Sequence, residues 1–264
     1  CVVIRDTQTY SERVQVRGFT NNGFQFKIMS DPSFVSSAPV VNPPSFSTAA
    51  FFVQNDSVTI QNISVISTNS VSYGVYGSSN YVTISSVSVD SGGNITEAGV
   101  RLSSWSFLSN SSVTVQNAYG FYTNGTLNLI SDSRFLSGLR AGILRDGASF
   151  NTITRSSFRN ESLNALEITA SANNNIVSYS TAITNGGGGV AALFISAGAS
   201  SNTVSNSYMS APLSYGLRFG TLSNSLANYN RIEFSTITSN NGTATAAAIR
   251  FNGSDYNVIT QCFI

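Results

Sequence analysis

The chain contains no histidine, and lysine occurs once, at Lys27, in 264 residues. Without imidazole, no side chain has an ordinary titration between ~pH 5 and 8, so histidine general-base catalysis and histidine metal ligation are closed to it. Two cysteines and two methionines leave no set of sulfur ligands for zinc or copper. No cofactor and no metal are expected. Charged residues make up 9% of the chain and the net charge is +1, where an average soluble domain carries roughly 25% charged residues. There is neither a basic footprint for nucleic acid nor an acidic tail. Apolar runs fall far short of the ~18 residues that cross a membrane, so no membrane span is expected in this segment. The chain opens straight into strand-like Val2-Val3-Ile4, and no signal peptide is read in it.

What fills the chain instead is a repeat. Tyr215-Gly216-Leu217-Arg218-Phe219 recurs as Ala98-Gly99-Val100-Arg101-Leu102, Asn164-Ala165-Leu166-Glu167-Ile168, Ala191-Ala192-Leu193-Phe194-Ile195 and Ala247-Ala248-Ile249-Arg250-Phe251. Looser copies are centred on Phe51, Val75, Phe121 and Ile143. The small second residues stand at 50, 74, 99, 120, 142, 165, 192, 216 and 248, steps of 21 to 32 residues. A recurrence of that length marks a solenoid whose units cannot bury an apolar face alone. Apolar residues at the first, third and fifth places have period two, which is a strand. The expectation is therefore a coil of short strands stacked parallel at ~4.8 Å per turn.

A second signature precedes each copy: Asn151-Thr152-Ile153, Asn175-Ile176, Asn202-Thr203-Val204, Asn230-Arg231-Ile232 and Asn257-Val258, each followed by Ser157, Ser180, Ser207, Ser235 or Cys262. Asparagine at a repeated corner tolerates left-handed backbone, and its amide can bond to the copies above and below. Residues 1–31 read as opening strands, 32–47 as an irregular excursion holding four of the five prolines, and 48–264 as regular turns. Two features lengthen corners, Gly186-Gly187-Gly188-Gly189 and Asn240-Asn241-Gly242; no Lys-Ser/Thr or helix follows the glycines, so a phosphate loop is not indicated. Cys1 and Cys262, roughly nine turns and 40 Å apart, cannot form a disulfide, which needs Cα atoms within ~7 Å.

The Asn-x-Ile, Ser, then small-apolar pattern resembles the parallel β-helix repeats of the pectin-lyase-like superfamily, which includes NosD-like proteins and many bacterial surface proteins. It covers about residues 50 to 264. The resemblance implies an all-β, single-domain, right-handed parallel β-helix of about ten turns, and right-handed crossover is also the general rule for parallel strands. It identifies architecture rather than activity. The histidine- and aspartate-bearing signatures of polygalacturonases are missing, as are the paired aspartates of methylesterases, and copper ligands for a NosD-like role are lacking.

Chemistry has few candidates. Asp132, Asp146, Glu161 and Glu167 fall on neighbouring turns among Arg134, Arg140, Arg145, Arg155 and Arg159. This zone reads first as exposed compensating pairs worth little each. Asp146 with Glu167 is the one catalytic candidate, since carboxylates flanking a glycosidic bond must lie about 5 to 9.5 Å apart. The outward fourth place of the repeat gives Phe52, Tyr76, Arg101, Tyr122, Leu144, Glu167, Phe194, Arg218 and Arg250, beside the column of small second residues. Tyr76, Arg101, Tyr122, Arg218 and Arg250 are the candidate ligand-binding residues. The strip reads as a shallow groove for a polysaccharide, as a docking face for a loop or subunit, or as Gly and Ala packing with cation–π neighbours. The functional expectation is a non-catalytic module of a secreted or cell-surface (or periplasmic) bacterial protein, acting as stalk, adhesin or glycan-contact surface. The alternatives are a lyase or hydrolase of acidic polysaccharide and a trimeric phage tail-spike segment. Because the chain stops in mid-turn at Phe263-Ile264, further β-helix turns or capping domains are expected partners.

Overall fold

A computed structural model describes residues 1–34, 36–221, 226–240 and 247–264; Asn241 and Gly242, expected to lengthen a corner, lie outside them. The described residues form 31 short strands and no helix. Every third strand pairs with the next, giving sheets of 11, 10 and 10 strands, here sheets A, B and C. One turn shows the plan. Thr152–Thr154 lies in sheet A, Ser157–Asn160 in sheet B and Leu166–Ile168 in sheet C, and Ile176–Ser178 then returns to sheet A beside Thr152–Thr154. All these pairings are parallel, so the chain is a three-sided coil. Its first turn starts at Val2–Ile4, and Val40–Val41, inside the proline-rich stretch, is a rung of sheet B between Thr9–Tyr10 and Ser64–Val65.

The corners follow from backbone chirality. A single left-handed residue on each side of sheet A interrupts the alternation and swings the chain toward the axis. Phe150 and Arg155 do this in the turn above, at φ 58° and 46°. The asparagines themselves do not take this conformation; the residue before each one does, as at Asn174 and Ser201. What the asparagines do is satisfy the corner. Asn128, Asn151, Asn175, Asn202 and Asn230 are at most 1% exposed. In each turn the Asn Oδ1 accepts the backbone N–H of the Asn below, as in Asn151 N to Asn175 Oδ1 at 2.9 Å. The Asn175 Nδ2 donates to the Ala148 carbonyl and to Asn202 Oδ1, both at 2.9 Å. A parallel serine column, Ser111, Ser133, Ser156, Ser180, Ser207 and Ser235, closes the other corner. Each hydroxyl takes the N–H of the turn below and donates two residues back, as in Ser180 N to Ser207 Oγ and Ser207 Oγ to the Ser205 carbonyl. Cys262 ends this column, its thiol facing the Thr260 carbonyl, so its counterpart is Ser156 rather than Ser157. Both cysteines are free thiols.

Inside, Phe51, Val75, Val100 and Phe121 stand one over the next, each pairing with its neighbour and each 0% exposed. Sheet B adds Phe135 and Phe158, stacked at 4.9 Å. Two expectations need correction. Of the three readings open for the small second-place residues the packing one holds, and the outward groove does not: Ala50, Ala165 and Ala192 are 0% exposed and belong to the core. A Cβ on Gly74 would sit 2.6 Å from the Gly99 carbonyl oxygen and 2.8 Å from Val89 of sheet B. The reason is that the strand bends on entering sheet C, so second and third places both face in, and only a small residue leaves room for sheet B's side chain. The second correction is a one-residue slip. Gly142 pairs with Phe121 and Leu166, so Ile143 takes the outward place assigned to Leu144, which is 0% exposed. The Phe158 ring fills the space that a third-place side chain would need.

The buried ladders make a clear prediction. Asn175→Ala leaves two backbone groups and two neighbouring amides short of partners, so the unfolding free energy should fall by about 3 kcal/mol in chemical denaturation.

Candidate functional site

Sheet C turns two residues of each repeat outward, the first and the fourth. The fourth-place column runs Phe52, Tyr76, Arg101, Tyr122, Ile143, Glu167, Phe194, Arg218 and Arg250, in direct register from turn to turn. The first-place residues were expected to face inward, yet Tyr73, Ala98 and Tyr119 pack outside the core with Phe52, Tyr76 and Tyr122. A bend between first and third places reverses them. The signal was present in the sequence: Tyr73, Tyr119 and Tyr215 alternate with alanine, and a stack of phenols is a poor filling for a dry interior because each hydroxyl needs a partner.

Two aromatic–arginine clusters result. In the first, the Arg101 guanidinium lies 4.9 Å from the Tyr76 ring and 4.8 Å from the Tyr122 ring, and donates to the Tyr73 hydroxyl at 2.9 Å. Phe52 stacks on Tyr76 at 5.2 Å. Burial works against the Arg101 charge, but the Tyr73 hydroxyl and the tyrosine rings outweigh it and raise its pKa above the usual guanidinium value. Burial and then the Asp146 carboxylate push the Tyr122 phenol up, against the pull of Arg101. In the second cluster, Arg218 and Arg250 are direct neighbours across the sheet. Arg218 lies 5.0 Å from the Phe194 ring and Arg250 5.1 Å from Tyr215, whose hydroxyl accepts from Arg250. Arg218 also donates to the Gly189 carbonyl of the glycine run at 2.5 Å, while its Nε is buried without a partner. Burial, and next the Arg250 charge, lower the Arg218 pKa. None of Arg101, Arg218 and Arg250 has an ion pair among the described residues.

The carboxylates are differently placed. Glu167, 7% exposed, is held by Arg140 Nε at 2.5 Å and Asn164 Nδ2 at 3.1 Å. Asp146 accepts from the Tyr122 hydroxyl at 3.3 Å and pairs with Arg145 at 2.9 Å. Asp132 pairs with Arg155 at the corner after sheet A, and Glu161 with Arg159 beyond sheet B. The Arg155 and Arg159 hydrogen bonds hold these two carboxyls below their usual range. The charge-rich zone is thus a set of local pairs spread over several faces. Among the described residues no three His, Cys, Asp or Glu side chains group as metal ligands do.

The architecture is shared with known carbohydrate enzymes. The A-modules of two mannuronan C-5 epimerases from Azotobacter vinelandii superpose on it. AlgE4 does so at TM-score 0.63 and 12% identity over 98% of this chain and 85% of that one. AlgE6 gives 0.58 and 14% over 98% and 86%. The catalytic domain of a GH87 α-1,3-glucanase gives 0.55 and 12%, over 96% of this chain and 62% of that one. The chain is a parallel β-helix. At these identities the likeness shows the fold alone, which is the one implied by the pectin-lyase-like repeat. No protein-family model matches the chain, and no curated protein matches its sequence.

The two kinds of carboxylate differ in what they support. Glu167→Gln leaves the half-buried Arg140 without its anion and should lower the unfolding free energy by about 2 kcal/mol. Asp132→Asn, at a solvated pair, should leave the denaturation midpoint unchanged. Sign matters for pH: Glu161, held by Arg159 and Asn185, has a depressed folded pKa, so its contribution is present above the ordinary carboxylate range and is lost as pH falls through the folded value.

Proposed function

We propose that this β-helix is a non-catalytic carbohydrate-contacting module of a secreted or cell-surface protein, and that the sheet C face binds an acidic polysaccharide laid along the helix axis. The observation that carries this is the pair of aromatic–arginine clusters. The Tyr76 and Tyr122 rings hold the Arg101 guanidinium between them and fix where it points. Arg101, Arg218 and Arg250 hold donors in a fixed fork that suits carboxylates, and no carboxylate among the described residues pairs with them. Register between turns sets Tyr76, Arg101 and Tyr122 at ~4.8 Å intervals and puts Arg218 five turns, about 24 Å, beyond Arg101 on the same face, a layout suited to a linear polymer. The epimerase and glucanase likenesses add that the architecture is one used for polysaccharide work.

Equilibrium binding to polymannuronate and polygalacturonate tests the reading. Arg101→Ala and Arg218→Ala should each weaken binding about tenfold, the worth of one charged hydrogen bond. Added salt should weaken it further. With no histidine and arginines that stay charged, affinity should be flat from about pH 6 to 9. Equal binding by wild type and both variants would contradict the proposal.

A second reading has one observation in its favour. Glu167 and Asp146 lie on adjacent turns of the same face, Glu167 opposite Ile143 and Asp146 three residues beyond it. A lyase or hydrolase would release unsaturated products or new reducing ends from these polymers, and Glu167→Gln would abolish them. Their absence across the panel would leave the binding module.

A further inference from the structure

Each turn has two left-handed corners of the same backbone conformation, and four consecutive turns fill them in opposite ways. At the corner after sheet A stand Ser86, Asn110, Asp132 and Arg155, φ 46° to 53°. At the corner before it, in the same turns, stand Tyr81, Trp105, Leu127 and Phe150, φ 57° to 61°. A left-handed residue with a side chain costs roughly 1–2 kcal/mol, least for short polar ones, so Ser86, Asn110 and Asp132 suit the backbone and the second set does not. Nor are the second set hidden in a core: they are 47%, 45%, 40% and 57% exposed. Strain retained at exposed positions, with large apolar groups held out into solvent, points to a ligand surface.

The surroundings say which ligand. Tyr81 and Trp105 lie with ring centroids 6.0 Å apart and 30° between planes, forming a shelf along the axis. Exposed Phe107 extends it onto sheet A. Directly before the four corner residues runs a polar row of Asn80, Ser104, Thr126 and Ser149, each at least partly exposed. Residues 79–85, 103–109, 125–131 and 148–154 contain no Asp, Glu, Lys or Arg. We infer that this corner is a second carbohydrate site, separate from the sheet C face, that binds an uncharged polysaccharide by stacking sugar rings on Tyr81, Trp105 and Phe150. Aromatic faces match the C–H face of a sugar, the polar row matches its hydroxyls, and the lack of charge leaves nothing to select a uronate.

Trp105 is the single tryptophan of the chain and reports on the site directly. Titrating the intact protein with soluble uncharged glucan, xylan and mannan, one of the three should give a saturable blue shift of its emission and protect it from acrylamide. The effect should be indifferent to salt and retained in Arg218→Ala. Tyr81→Asn, which suits the left-handed backbone better, should keep or raise the melting temperature while weakening binding by up to about tenfold. Unchanged Trp105 emission with all three polymers overturns the inference. So does a shift that appears on raising protein concentration alone, which would make the corner a contact between copies, or a Tyr81→Asn variant that binds as wild type.

Discussion

Polar groups at the corners of a stacked coil have no water to turn to, and the whole rod depends on how they are satisfied. Each turn must change direction three times around an apolar interior, and every change strands backbone N–H groups near the axis. Asn128 to Asn257 and Ser111 to Ser235 answer this by handing one hydrogen bond from turn to turn. Because the bonds run between turns, they fix spacing and register together with the strand ladders. That fixed register lets side chains separated by more than twenty residues in sequence form continuous columns.

The columns have different duties inside and outside. Inward columns of Val, Ile, Leu and Phe supply the burial that drives folding. Where the strand bends into sheet C there is room for only one large side chain, so Ala50, Gly74 and Gly216 yield to sheet B. Outward columns are free of that demand. On sheet C they gather tyrosine rings with Arg101, Arg218 and Arg250, while Glu167 of the same column is taken up by Arg140; at the corner before sheet A they gather aromatic side chains without charge. A rod with little net charge thus carries two chemically distinct faces along its length.

The coil of parallel strands, the inward Val75-Val100-Phe121 stack and the asparagine bonding were legible because each recurs with a fixed period. Tyr76, Arg101, Tyr122, Arg218 and Arg250 were legible as outward for the same reason. What escaped was local. Strict alternation cannot reveal a bend, so Tyr73, Tyr119 and Tyr215 were assigned inward and the small column outward; in the packing the small column joins the main core, while Tyr73 and Tyr215, buried as they are, cluster apart from it. The slip at Gly142 escaped because Ala141-Gly142-Ile143-Leu144 fits the repeat equally well one residue away; the Phe158 ring, a contact from another sheet, decides it. The left-handed residue escaped because Asn is the common choice there, while Phe150, Tyr229 and Tyr256 hold the position in this chain. The grouping of Glu167 with Arg140 and Asn164 depends on that bend as well.

The sheet C account is tested most directly by following the arginine Nε–Hε resonances in solution while a short oligouronate is added. Resonances of Arg101, Arg218 and Arg250 should shift together with one saturation curve, Arg218 most because its Nε has no partner in the free protein. Shifts confined to Arg134, Arg155 and Arg231, away from that face, or no shift in any arginine, would contradict it.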